Sequence, residues 1–138
     1  MSYNIALLVG SRPEVEPIAS ELEAKGVSIQ YFHSATEALE RLALEETDSP
    51  LNEVIVSLYV PAGSDKRFEG YTDNTPDIGL RATKLISDMG LKVIVIGPHT
   101  AKEMADRCKK EGAKDYVDIS GGDYAPLYAA ITEHFKTT

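Results

Sequence analysis

The chain alternates between two hydrophobic rhythms. "NIALLVG" (4–10), "VSIQYF" (27–32), "EVIVSLYVP" (53–61), "KVIVIG" (92–97) and "DYVDI" (115–119) are short apolar runs rich in β-branched residues. Bounded by turn formers, such runs read as buried strands. Between them the apolar positions recur three and four residues apart, which predicts helices. "PEVEPIASELEAKG" puts Val15, Ile18, Ala19 and Leu22 on one face, with Gly26 as the stop. Pro17 fits that helix only in its first turn or at a kink. "SATEALERLALEE" starts with Ser34 and Glu37 at capping-box spacing. "DIGLRATKLISDMG" turns Ile78, Ala82, Leu85, Ile86 and Met89 inward. "TAKEMADRCKKEG" opens with Thr100 and Glu103 as a second capping box and turns Ala101, Met104, Ala105 and Cys108 inward. "DYAPLYAAITEHFK" does the same with Leu127, Ile131 and Phe135.

Five strand-helix units with apolar rather than alternating strands specify an α/β fold. The expected architecture is a doubly wound five-stranded parallel sheet, order 2-1-3-4-5, with helices on both faces, as in flavodoxin-like sandwiches. Residues 1–138 read as one domain, without a repeat or an internal boundary. In such a sheet ligands sit beyond the carboxyl ends of the strands, near strands 1 and 3. That edge carries Gly10, Ser11, Arg12, Ser57, Gly97, Ser120, Gly121 and Gly122, which are small or polar and short of acids. Arg12, Ser120 and Gly121 form a candidate anion-binding edge.

The rhythm lapses once, across 61–76. "PAGSDKRFEGYTDNTP" predicts a long surface loop, and loops of that length are usually functional or mobile. Phe68 and Tyr71 stand among Asp65, Lys66, Arg67, Glu69 and Asp73, as anchors of a candidate interaction loop would. The loop is expected to cap the carboxyl edge or to dock a partner, to be mobile when free, and to be replaceable without removing a core residue.

Composition narrows the function. The balance of 43% hydrophobic and 26% charged residues is that of a soluble globular chain. A net charge of -8 argues against a nucleic-acid partner. No apolar run reaches the ~20 residues that span a bilayer, so a cytoplasmic protein without a membrane partner is expected. Cys108 is the sole cysteine, and His33, His99 and His134 are scattered over three elements, so no metal and no cofactor is expected. Lys109 and Lys110 beside Cys108 would lower its pKa, but its helical register points it to the core. "GSRPE" (10–14) matches the GTRPE motif of UDP-sugar 2-epimerases, yet those enzymes are far longer and two-domained.

"GLKVIVIGPHTAKEMADRCKKEGAKDYVDIS" resembles the second half of a response-regulator receiver domain, with "EGAKDYV" its most specific part. "EVIVSLYVP" resembles that family's third strand and "TEALERL" its second helix, so the resemblance covers nearly the whole chain. It implies a signalling module, but not the family's chemistry. Counting back from Pro61, Ser57 stands where receivers carry the phosphoacceptor aspartate. Gly10 and Ser11 stand where the acids that hold magnesium are found. Gly97 replaces the switch threonine or serine, and Ile119 the lysine after strand 5. Tyr116 aligns with the aromatic that moves between buried and exposed positions on activation; an ordinary strand-edge tyrosine is the alternative.

A serine hydroxyl without an adjacent base is a poor nucleophile, and a magnesium site for phosphoryl transfer needs carboxylates. Ser57 is therefore expected to be a vacated acceptor. The resemblance implies a non-enzymatic, phosphorylation-independent module whose partners are proteins, a histidine kinase or another signalling protein, with a homodimer through helix 4, strand 5 and helix 5. The alternative is a flavodoxin-like binder or enzyme for an anionic or phosphorylated small molecule.

Overall fold

The computed structural model describes residues 3–8, 12–43, 53–72, 75–98, 102–120, 122 and 124–135, with backbone alone for residues 3, 4, 8 and 12–15. Five strands, β1 (Tyr3–Leu8), β2 (Val27–Phe32), β3 (Glu53–Ser57), β4 (Lys92–Gly97) and β5 (Asp115–Asp118), form one sheet. They alternate with α1 (Arg12–Glu23), α2 (Ala35–Leu42), α3 (Pro76–Asp88), α4 (Lys102–Lys110) and α5 (Ala125–His134). All pairings are parallel and the order is β2-β1-β3-β4-β5, as the apolar runs predict.

Strand alternation divides the core into two layers. Val54, Val56, Val93 and Val95 face α2, α3 and α4 through Ala38, Leu39, Ile78, Ile86 and Cys108. Ile5, Leu7, Ile55, Ile94 and Ile96 face α1 and α5 through Ile18, Leu22, Leu127, Ile131 and Phe135. The central strands are thus apolar on both sides, which is why they read as continuous runs. Glu53 is a buried exception at the start of β3, and desolvation raises its carboxyl pKa against the opposing pull of Lys92.

Local chemistry sets the ends. The Ser34 hydroxyl accepts from the Glu37 backbone N–H at 3.1 Å and caps α2, while the Glu37 carboxylate lies 3.0 Å from His33 Nδ1. Pro17 lies inside α1, beyond its first turn, which leaves the second of the two places the sequence allows it, with its ring exposed to solvent. Met89, expected in the core, is 40% exposed, because α3 stops at Asp88 and Met89 caps it ahead of Gly90 at φ 87°. The expected α4 cap, Thr100, lies outside the described residues.

The 61–76 connection is built onto α2. Ala35 and Thr36 donate their backbone N–H groups to the carbonyls of Pro61 and Ala62 at 2.8 and 2.9 Å. The Thr36 hydroxyl donates to the Ala62 carbonyl at 2.7 Å and accepts from the Asp65 N–H at 2.8 Å. Gly63, at φ 82°, passes so close that a Cβ there would meet Thr36 Oγ1 at 2.5 Å. A 3-10 turn at Lys66–Phe68 follows, started by Asp65, whose carboxylate accepts from the Arg67 backbone N–H at 2.8 Å and from its Nη2 at 2.9 Å.

Phe68 at the end of that turn is 4% exposed and belongs to the core layer under α2 and α3. The expectation that the loop holds no core position is therefore corrected: its apolar ring is buried within the protein's own core. Tyr71, 41% exposed, meets Phe68 edge-on at 6.2 Å between centroids.

Candidate functional site: the carboxyl edge

Ser57 is the last residue of β3, opposite Ile96 on β4, and is 3% exposed. The strand was expected to run to Val60. It stops earlier because the Val60 N–H turns back to the Ser57 carbonyl at 3.1 Å. Leu58 in that turn is held from two sides: its N–H donates to Ile96 and its carbonyl accepts from the Gly79 N–H of α3, at 3.0 and 3.1 Å. Gly79 permits this approach, since a Cβ there would collide with the Leu58 backbone. The serine at the tip of the central strand is thus fixed by its neighbours' backbones.

Beside it, β4 ends at Gly97, whose carbonyl accepts from the Ile119 N–H at 3.0 Å. Ile119 is half-buried and packs against the α1–α5 layer. Tyr116 pairs in register with Val95, two residues before Gly97, and its side chain packs against the α2–α3–α4 layer. A Cβ on Gly97 would lie 2.7 Å from the Tyr116 hydroxyl and 3.0 Å from Leu58 Cδ1. The tyrosine ring therefore uses the space that any larger residue at position 97 would claim.

Asp118 and Ser120 close the edge, with the Ser120 N–H donating to Asp118 Oδ1 at 2.9 Å. Gly10, Ser11 and Gly121 lie outside the described residues, as does the side chain of Arg12, so the anion-binding edge proposed from sequence is described only at Ser120, which is exposed. Among the described residues no group of three or more His, Cys, Asp or Glu side chains could hold a metal ion. None of the described helices is long and apolar enough to cross a membrane. Cys108 is buried, and desolvation pushes its thiol pKa up to about 11 against the opposing pull of Arg107, so the lowering expected from Lys109 and Lys110 is not seen.

A second concavity, which sequence reasoning missed, lies between α3 and α4. It measures about 570 Å³ and is lined by Tyr71, Asp77, Arg81, Lys84, Arg107 and Glu111 among others. Its local signal in the sequence is faint: Arg81 and Lys84 at i,i+3 on one helix face.

No family model and no curated protein matches the chain. Solved structures do. A response regulator from Thermotoga maritima is similar with a TM-score of 0.71 at 19% identity, over 96% of this chain and 97% of that one. The BeF3-activated N-terminal receiver domain of Klebsiella pneumoniae RstA gives 0.74 at 15% identity, over 97% and 99%. The BeF3-activated DrrB receiver domain gives 0.69 at 18%, over 96% and 97%. The fold of this chain is the fold of response-regulator receiver domains.

Proposed function

We propose that the chain is a phosphorylation-independent receiver-like module that works in the cytoplasm by binding other signalling proteins. One observation carries the reading: a buried Ser57 ends β3, and its distance from Pro61 is what supports reading it as the position of the family's acceptor carboxylate. Two further features of the same edge support it. Gly97 offers no hydroxyl to a phosphoryl group, and Ile119 offers no ammonium. A module without a phosphoryl switch recognises partners through surface shape, and the α4–β5–α5 face is the proposed surface for a protein partner, such as a histidine kinase, or for a second copy. β5 is an edge strand of four residues with Asp115 and Asp118 at its ends, which discourages strand-to-strand addition and leaves helical faces for contact.

The test is capture of partners on the immobilised chain from a cytoplasmic extract, with and without acetyl phosphate and magnesium. A partner retained equally under both conditions, and lost when exposed α4 residues such as Lys102 and Asp106 are reversed in charge, is the expected result. Retention that depends on the phosphodonor would overturn the proposal.

A further inference from the structure

One edge of the sheet is built unlike the other. β2 pairs with β1 on its inner side and ends the sheet on its outer side. Its six residues, Val27–Phe32, include no charged residue, proline or glycine. The opposite edge, β5, is four residues long with Asp115 and Asp118 at its ends. Short length and charge blunt an edge, whereas a longer uncharged strand is a template for a further strand. The middle of β2 is open to one: Ser28 is exposed, and Ile29, Gln30 and Tyr31 are half-buried.

The side chains of β2 also suit a copy of themselves. Ile29 and Tyr31 lie on the α1–α5 side of the sheet and Phe32 on the α2 side. Antiparallel pairing about a two-fold axis at Gln30, perpendicular to the sheet, keeps each side continuous. It sets Ile29 opposite Tyr31 and Ser28 opposite Phe32 in both halves of the junction, with the Gln30 amides meeting at the axis. A β-branched residue opposite an aromatic is a favourable cross-strand pair. Unlike charges approach at both ends. The Glu37 carboxylate, 3.0 Å from His33 Nδ1 just past β2, comes to the start of the other copy's strand, where Lys25 is exposed.

From this edge we infer that β2 is a self-association site, through which two copies of the chain join by antiparallel β2–β2 pairing and their sheets become one. The junction is a single six-residue strand, at the small end of specific interfaces, so the dimer is weak and concentration-dependent. The net charge of -8 opposes it, and salt tightens it by screening that repulsion. That sign separates it from a contact made by the charged residues of α4, which salt weakens. The site is distinct from the carboxyl edge of Ser57 and Gly97, and it stands whether or not the chain is a phosphorylation-independent module.

The test is sedimentation velocity of the full chain over a concentration series at low and at high salt, with amide hydrogen exchange at both ends of the series. A monomer–dimer equilibrium in the micromolar to millimolar range, shifted toward dimer by salt, is expected. Alternate amides of residues 27–32 should exchange more slowly at high concentration. Gln30→Lys sets like charges face to face at the axis and is expected to weaken the dimer about tenfold, with the thermal midpoint of the dilute chain unchanged. Ser28→Lys, at an exposed position of the same strand, is expected to do the same. Lys102→Glu on α4 leaves the dimer as it is. A chain that stays monomeric throughout the series would overturn the inference and leave the edge to a strand of a different protein. So would a dimer unmoved by both lysine variants, or one disrupted by Lys102→Glu alone.

Discussion

The Tyr116 hydroxyl stands 2.7 Å from the point where a β-carbon on Gly97 would be. The two positions are brought together by the β4–β5 register, and their contact fixes the tyrosine inside the carboxyl edge. The position of the ring is thus under the control of the absent side chain at residue 97.

Substitution of Gly97 tests that control. Gly97→Thr must displace Tyr116 and press on Leu58, an overpacking that costs about 1–3 kcal/mol. Tyr116 should become accessible, seen as faster nitration of that ring by mass spectrometry. A variant as stable as the parent, with Tyr116 equally protected, would show that the ring does not depend on the glycine.

Phe68 gives a sharper result than its polar surroundings suggest. Phe68→Ala is expected to destabilise the chain by about 3–5 kcal/mol, because a large side chain leaves a packed core layer. Tyr71→Ala should cost less than about 1.5 kcal/mol, the scale of one aromatic pair. Replacing 63–74 by a short Gly-Ser link should therefore lower the denaturation midpoint markedly. An unchanged midpoint would mean that the ring contributes nothing to the core.

The 3-10 turn carries a pH signature. Arg67 holds the Asp65 carboxyl at about 2, chiefly through their side-chain hydrogen bonds. The folded state therefore favours the ionised form. Its contribution is complete above the unfolded value of about 3.9 and is lost as pH falls toward 2. Asp65→Asn should destabilise at pH 7 and lose that difference near pH 2. Denaturation curves at the two pH values measure it, and a difference that persists in acid would point to a contact other than charge.

Much of the fold was legible because its determinants are local. Runs such as "KVIVIG" and helical spacing such as Ile78, Ala82 and Ile86 each carry one element, and five alternating units admit few topologies. Phe68 was misread as a surface anchor because a lone aromatic among charges looks alike whether it points out or in; its direction is set by the hydrogen bonds that Thr36 makes to Ala62 and Asp65, 26 and 29 residues further along the chain. Met89 follows the helical rhythm but lies one residue beyond the last helical turn. The Gly97–Tyr116 contact and the α3–α4 cleft join residues far apart in sequence; no local pattern encodes the first, and only Arg81 and Lys84 on one helix face hint at the second. Ser57 was located by its distance from Pro61, and its burial agrees with a strand tip, although the strand ends three residues sooner than the apolar run.

Ser57 offers its own test of whether the tip of β3 is structural. Ser57→Ala should change stability by less than about 1.5 kcal/mol, the scale of one net hydrogen bond. Ser57→Asp should cost more, since it would bury a carboxylate beside Ile96 with no ammonium at Ile119 to meet it. If the aspartate variant is as stable as the parent and binds partners differently, the position acts as a switch.

The most direct measurement is the amide NMR spectrum of the chain with magnesium alone and with magnesium plus beryllofluoride. An edge with Ser57, Gly97 and Ile119 in place of the reactive set is expected to leave the amides of Ser57, Gly97 and Tyr116 unmoved in both, with no phospho-adduct in the mass spectrum after acetyl phosphate. A saturable, magnesium-dependent shift at those three residues, or a stoichiometric adduct, would contradict the account.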